Sequence, residues 1–150
     1  MAKFQYRMQN ILNIKYKLEE QAKQVFSQAQ SRYQQELNKL EVLKQRKSAY
    51  QEEMRGYARK KLNIRELERC NQSIKILDEA IKEQKEQVFR AMADMDRARE
   101  QLRAVMQERK THEKLKEHQF EAFKQELNAE EMKEIDQLVS YRHNVPKEGE

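Results

Sequence analysis

The chain has 150 residues, 38% of them charged and 37% hydrophobic, with no Trp, one Pro and two Gly. That profile excludes a compact domain around one core, which at this length would bury about two thirds of its unfolded surface, and predicts an extended coiled-coil protein that buries a seam. The net charge of +5 is a gradient: +7 over residues 1–60, +2 over 61–110 and −4 over 111–150.

Both signs are interspersed, as on a solvated helix surface where Glu79 and Glu83 meet Lys75, Lys82 and Lys85. A nucleic-acid surface needs a concentrated basic stripe with groove-reading elements, and none is present, so no nucleic-acid partner is expected. No apolar run reaches the roughly 18 residues of a membrane span, and "MAKFQYRMQNILNIKYK" breaks any signal-peptide pattern with Lys, Arg, Asn and Gln. The reading is a cytosolic, uncleaved chain without membrane insertion. The single Cys70 falls on an apolar stripe and is expected to be a buried, inert thiol.

The first predicted element is a helix from about residue 3 to 55. Its apolar stripe runs Phe4, Met8, Ile11, Leu18, Ala22, Val25, Ala29, Tyr33, Leu37, Leu40, Leu43, Tyr50, Met54, with misses at Lys15 and Lys47. The steps of four from Val25 to Leu37 predict a stutter that locally unwinds the supercoil.

The turn is expected near residues 56–63, in "RGYARKKLNIRE". Gly56 suits the left-handed residue that closes a helix. Asn63 to Glu66 form a capping box, with Leu62 and Leu67 as its hydrophobic staple. A second box, Asn128 to Glu131 with Leu127 and Met132, lacks a preceding Gly and leaves open a chance mid-helix Asn, a short C-terminal helix or a kink.

Helix two is expected from about 64 to 141. Its seam is Leu67, Cys70, Ile74, Leu77, Ile81, Gln84, Val88, Ala91, Met95, Ala98, Leu102, Val105, in alternating steps of three and four, with Gln84 the one polar member and a candidate register lock. So strict a 3.5-residue period marks a helix supercoiled on another. A turn near 60 pairs residues whose numbers sum to about 120 and sets Ala29 against Ala91 and Ala22 against Ala98.

The fold class is therefore all-α: an antiparallel coiled-coil hairpin of residues 1–142, monomeric when alone, with a loose tail at 143–150. Its helices would measure roughly 80 Å and roughly 115 Å at about 1.5 Å per residue.

In that register Phe4 lies opposite Lys116, Met8 and Ile11 face His112 and Arg109, and everything after about 118 overhangs. The overhang is apolar through Phe120, Phe123, Leu127, Met132, Ile135 and Leu138. With Phe4, Met8, Ile11, Leu12 and Leu115 these are the candidate partner-binding residues.

Catalytic chemistry has no foothold. Two glycines cannot build a phosphate-binding Gly-rich loop. His112 and His118, six apart, occupy different helix faces without a metal-completing cluster. No enclosed pocket for a nucleophile and base is expected, so neither an enzyme nor a cofactor is anticipated.

The opening "MAKFQYRMQNILNIKYKLEEQAK", with Phe4, Tyr6, Leu12 and Lys17 to Glu20, resembles the start of the flagellar export protein FliJ family. The stretch "ERKTHEKLKEHQFEAFKQE", followed by "EEMKEIDQL", resembles that family's C-terminal half. The resemblance implies a cytoplasmic, non-enzymatic stalk or adaptor of the type III export apparatus, peripheral to the inner membrane at the flagellar base. It implies as partners the hexameric export ATPase, the cytoplasmic domain of the export gate protein and export chaperones, in the service of flagellar assembly and motility. The competing class is a generic scaffold whose seams pair between chains. An export substrate or chaperone would need a groove or a disordered N-terminal signal, against the helical pattern from Phe4.

Overall fold

The computed structural model describes residues 3–59 and 63–144. It contains two helices, α1 (Gln9–Arg59) and α2 (Ile64–Asn144), with no strand among the described residues. They pack antiparallel within the single chain, which is the expected all-α hairpin. Two compact units make up the chain: a turn-side unit, Glu19–Val105, and a terminal unit that joins the residues up to Leu18 with those from Met106 onward.

In the turn-side unit every expected seam position of α2 from Leu67 to Val105 is buried or half-buried, including Ala91 at 1% exposure. The α1 side differs from expectation. Leu18 and Val25 are exposed, and the positions facing α2 are Glu19, Ala22, Phe26, Ala29, Tyr33, Glu36, Leu40, Leu43, Lys47, Tyr50, Met54 and Tyr57.

These alternate by threes and fours without a break, so there is no stutter. Following the apolar residues alone leads off the seam, because three members are charged. A helix that must stay in contact with the strictly 3.5-periodic α2 has to keep the same period. The charged members are partnered: Glu19 with Lys23 at 3.8 Å, Glu36 with Gln84, and Lys47 with Asp78 at 2.6 Å.

Facing seam positions have numbers that sum to about 124, not the expected 120. The pairs Cys70–Glu53, Lys47–Asp78, Phe26–Arg99 and Arg32–Asp94 sum to between 123 and 126, while the long Gln84 side chain reaches along α1 to Glu36, at a sum of 120. The shift follows from the turn. Gly56 does not close α1; it sits in the helix with open space beyond its Cα, and three more residues extend the helix to Arg59.

The expected alanine coincidences are thereby replaced. Ala91 comes level with Tyr33 and Ala98 with Phe26, a small residue against a large one at each level, which is how knobs and holes interdigitate. Gln84 does act as a lock, its amide donating to the Glu36 carbonyl at 2.9 Å and to the Glu36 carboxylate at 2.5 Å. That bond is the leading reason the Glu36 carboxyl is held below its usual pKa.

At the restart the Asn63 carbonyl accepts from the Leu67 N–H at 3.1 Å, which puts Asn63 at the N-cap position, and Glu66 supplies an acid to the first turn. Leu62, the other half of the expected staple, lies outside the described residues. Cys70 is 4% exposed, and burial followed by the Glu53 carboxylate pushes its thiol pKa up. The expected tail at 143–150 also falls largely outside the described residues. The second capping box starts nothing, since α2 runs unbroken through Asn128 to Asn144.

Candidate partner interface

The terminal unit begins with a correction. Residues 3–8 are not helical; α1 starts at Gln9, where the Met8 carbonyl accepts the Leu12 N–H at 3.0 Å after a turn closed by Gln9 N–H to the Tyr6 carbonyl at 3.1 Å. The physical reason is local. None of the first eight residues is a Ser, Thr, Asp or Asn that could cap a helix, and an irregular arm lets Phe4 and Tyr6 bury apolar surface that a helical start would leave outside.

Phe4 packs on two α2 rings, Phe120 at 5.1 Å between centroids in an edge-on arrangement and Phe123 at 5.5 Å in a tilted one. Phe120 and Phe123 are therefore not unpaired, as the register of 120 implied; the arm covers part of both. Tyr6 is 7% exposed, and its hydroxyl is buried without a hydrogen-bond partner among the described residues, as is His112 Nδ1.

Above this cluster the coil turns polar. Leu12, 1% exposed, is its last fully buried apolar side chain on α1. Lys15 donates to Glu108 at 2.8 Å, Lys116 to the Gln9 amide oxygen at 2.7 Å, and the Tyr16 hydroxyl to Glu113 at 2.5 Å. Arg109 reaches the other Glu113 oxygen at 3.0 Å.

Both carboxyls are held below the usual range, Glu113 chiefly by the Tyr16 hydroxyl and Glu108 chiefly by Lys15. Between the helices an open groove of about 910 Å³ is lined by Phe4, Leu12, Tyr16 and Phe120, with Lys110, Lys114, Glu113 and Glu117 among the polar residues around it.

Past Leu127 the helix stands without a neighbour among the described residues, and residues 128–142 are all exposed. Of the expected partner-binding residues, Phe4, Phe120, Phe123 and half-buried Met8 and Leu127 are brought together here or beside it. Leu12 is a core residue of the coil, and Ile11 and Leu115 point outward. Met132, Ile135 and Leu138 form the bare stripe, each more than half exposed. The sequence reading missed Tyr16, Val139 and Tyr141; spacing of four from Leu12 and from Ile135 was the available signal for the first two.

Comparison of the sequence with family models matches the flagellar FliJ protein family over residues 4–148. The chain belongs to that family. The family is a non-enzymatic one, and membership makes the chain a component of flagellar type III export. Among solved structures, the fold is shared with a YscO homologue of Chlamydia trachomatis, at 21% identity and a TM-score of 0.66 over 97% of this chain and all of that one. No curated protein matches the chain in sequence. No helix among the described residues is long and apolar enough to cross a membrane. No group of His, Cys, Asp and Glu among the described residues could hold a metal ion.

Proposed function

We propose that this chain is a stalk and adaptor of the export apparatus that works by contact alone. Its terminal unit engages the hexameric export ATPase. The chain further meets the cytoplasmic domain of the export gate and the export chaperones, on the cytoplasmic side of the inner membrane at the flagellar base.

The observation that carries this reading is the bare stripe of α2. In the terminal unit two helices give way to one, and that one keeps Met132, Ile135 and Leu138 exposed. An amphipathic helix with an unoccupied apolar face is a recognised docking element, and a single helix is slender enough to enter a central channel. A contact of this kind changes turnover only by binding the subunit states of the ring unequally. The rival scaffold reading needs free seams, and here the seams pair within one chain.

The test is to add the full chain to the purified cognate ATPase and follow turnover and oligomeric state. Stimulation is expected, and it is expected to weaken with Ile135→Ala and Leu138→Ala, which touch nothing in the coil. Turnover and assembly that ignore the chain would refute the reading.

A further inference from the structure

The charge around the bare stripe is mainly acidic. Over the exposed residues 128–142 the chain carries Glu130, Glu131, Glu134 and Asp136 against Lys133 and, at the C-terminal end of the face, Arg142. At about 100° per residue, Ile135 sits at the centre of the apolar face, with Met132 and Val139 to one side and Leu127 and Leu138 to the other. On the same projection Glu131 falls within the face, Glu134 and Asp136 border it at about 100° from its centre, Glu130 lies further round at about 140°, and Lys133 is on the opposite side at about 160°.

A segment of the chain itself docks on this side of α2 through an aromatic ring. The arm that covers Phe120 and Phe123 has an aromatic anchor, Phe4, flanked by exposed Lys3 and Arg7. Leu127 and Leu138 continue the same side of the helix beyond the arm.

We infer that the face of α2 from Leu127 to Val139 docks a helix of a partner protein whose apolar stripe is rimmed by lysine and arginine. This deepens the reading above and rests on its assignment of the terminal unit as the partner surface, but not on the partner being the ATPase. A second copy of the chain is a poor occupant. Antiparallel self-pairing about Ile135 sets Glu134 against Asp136, and parallel pairing sets each acid against itself, both repulsive. An anionic lipid surface is disfavoured by the same four acids.

The experiment uses the full chain and two synthetic peptides of about 21 residues. Both carry leucine at i, i+3, i+4 and i+7; one is flanked by lysine and the other by glutamate. Fluorescence anisotropy is expected to show the lysine peptide binding at least about tenfold tighter at low salt, with the preference shrinking toward about 0.5 M salt.

The preference should reverse in a chain carrying E130K, E131K and E134K, and binding should vanish with I135D and L138D. These substitutions lie at exposed positions, and unchanged helicity by circular dichroism verifies that the variants fold. Equal affinity for the two peptides, no binding of either, or binding indifferent to I135D would overturn the inference. So would sedimentation showing self-association through this face, or capture by anionic vesicles. ATPase stimulation lost while the peptide preference persists would count against the proposed function alone.

Discussion

Replacing Phe4 by alanine removes the anchor of the N-terminal arm. Two aromatic contacts are lost, at 5.1 and 5.5 Å, each worth about 0.5–1.5 kcal/mol beyond the area buried. Since Phe4 is only half-buried, we take about 2 kcal/mol as the total, or about a thirtyfold rise in the population of the detached arm. The readout is amide hydrogen exchange at Gln9, whose N–H is held by the Tyr6 carbonyl at 3.1 Å only while the arm's turn is formed. Its protection should fall by about thirtyfold, with amides near Leu77 in the turn-side unit unaffected. Phe4→Leu, which keeps apolar contact but no ring, should lose less. A Gln9 amide that exchanges at its original rate in the alanine variant would show that Phe4 does not hold the arm, and the account of residues 3–8 would fall.

Gly56→Ala should raise stability by about 0.5–1 kcal/mol, because the position is helical and a methyl group meets nothing there; a lowered melting temperature would restore the capping role that the structure removes. Ala91→Leu forces extra carbons into a site 1% exposed and should cost about 1–3 kcal/mol in chemical denaturation, an outcome that a loosely packed seam would not give. The pKa values of Glu36, Glu108 and Glu113 are lowered in the fold, so their contribution is complete above the unfolded value of about 4.3 and is lost as pH falls through the lower folded values. The melting temperature should be nearly flat from about pH 7 to about pH 5 and decline below about pH 4, and a melting temperature that is the same at both ends would remove these carboxylates from the stability of the coil.

The sequence by itself determined the fold class and the whole of the α2 seam. Twelve positions from Leu67 to Val105 in strict alternation, eleven of them apolar, leave a helix no other surface to bury. The cap position at Asn63 and the bare stripe at Met132, Ile135 and Leu138 were legible because each depends on neighbours within one helix, and Gln84 stood out as the one polar member of its seam, though its partner Glu36 came from the other helix.

Tertiary structure alone decided the α1 seam, the register and the arm. Glu19, Glu36 and Lys47 are acceptable in a seam only because partners are at hand, and periodicity counted on apolar residues passes over them in favour of exposed Leu18 and Val25. Gly56 permits a stop without imposing one, and α1 runs on to Arg59 with Tyr57 half-buried in its last turn. Phe4 has helical spacing to Met8, yet its ring gains more from Phe120 and Phe123 across the chain than from an uncapped first turn. Local periodicity records what a helix can bury; which residues it does bury depends on the surface that comes to meet it.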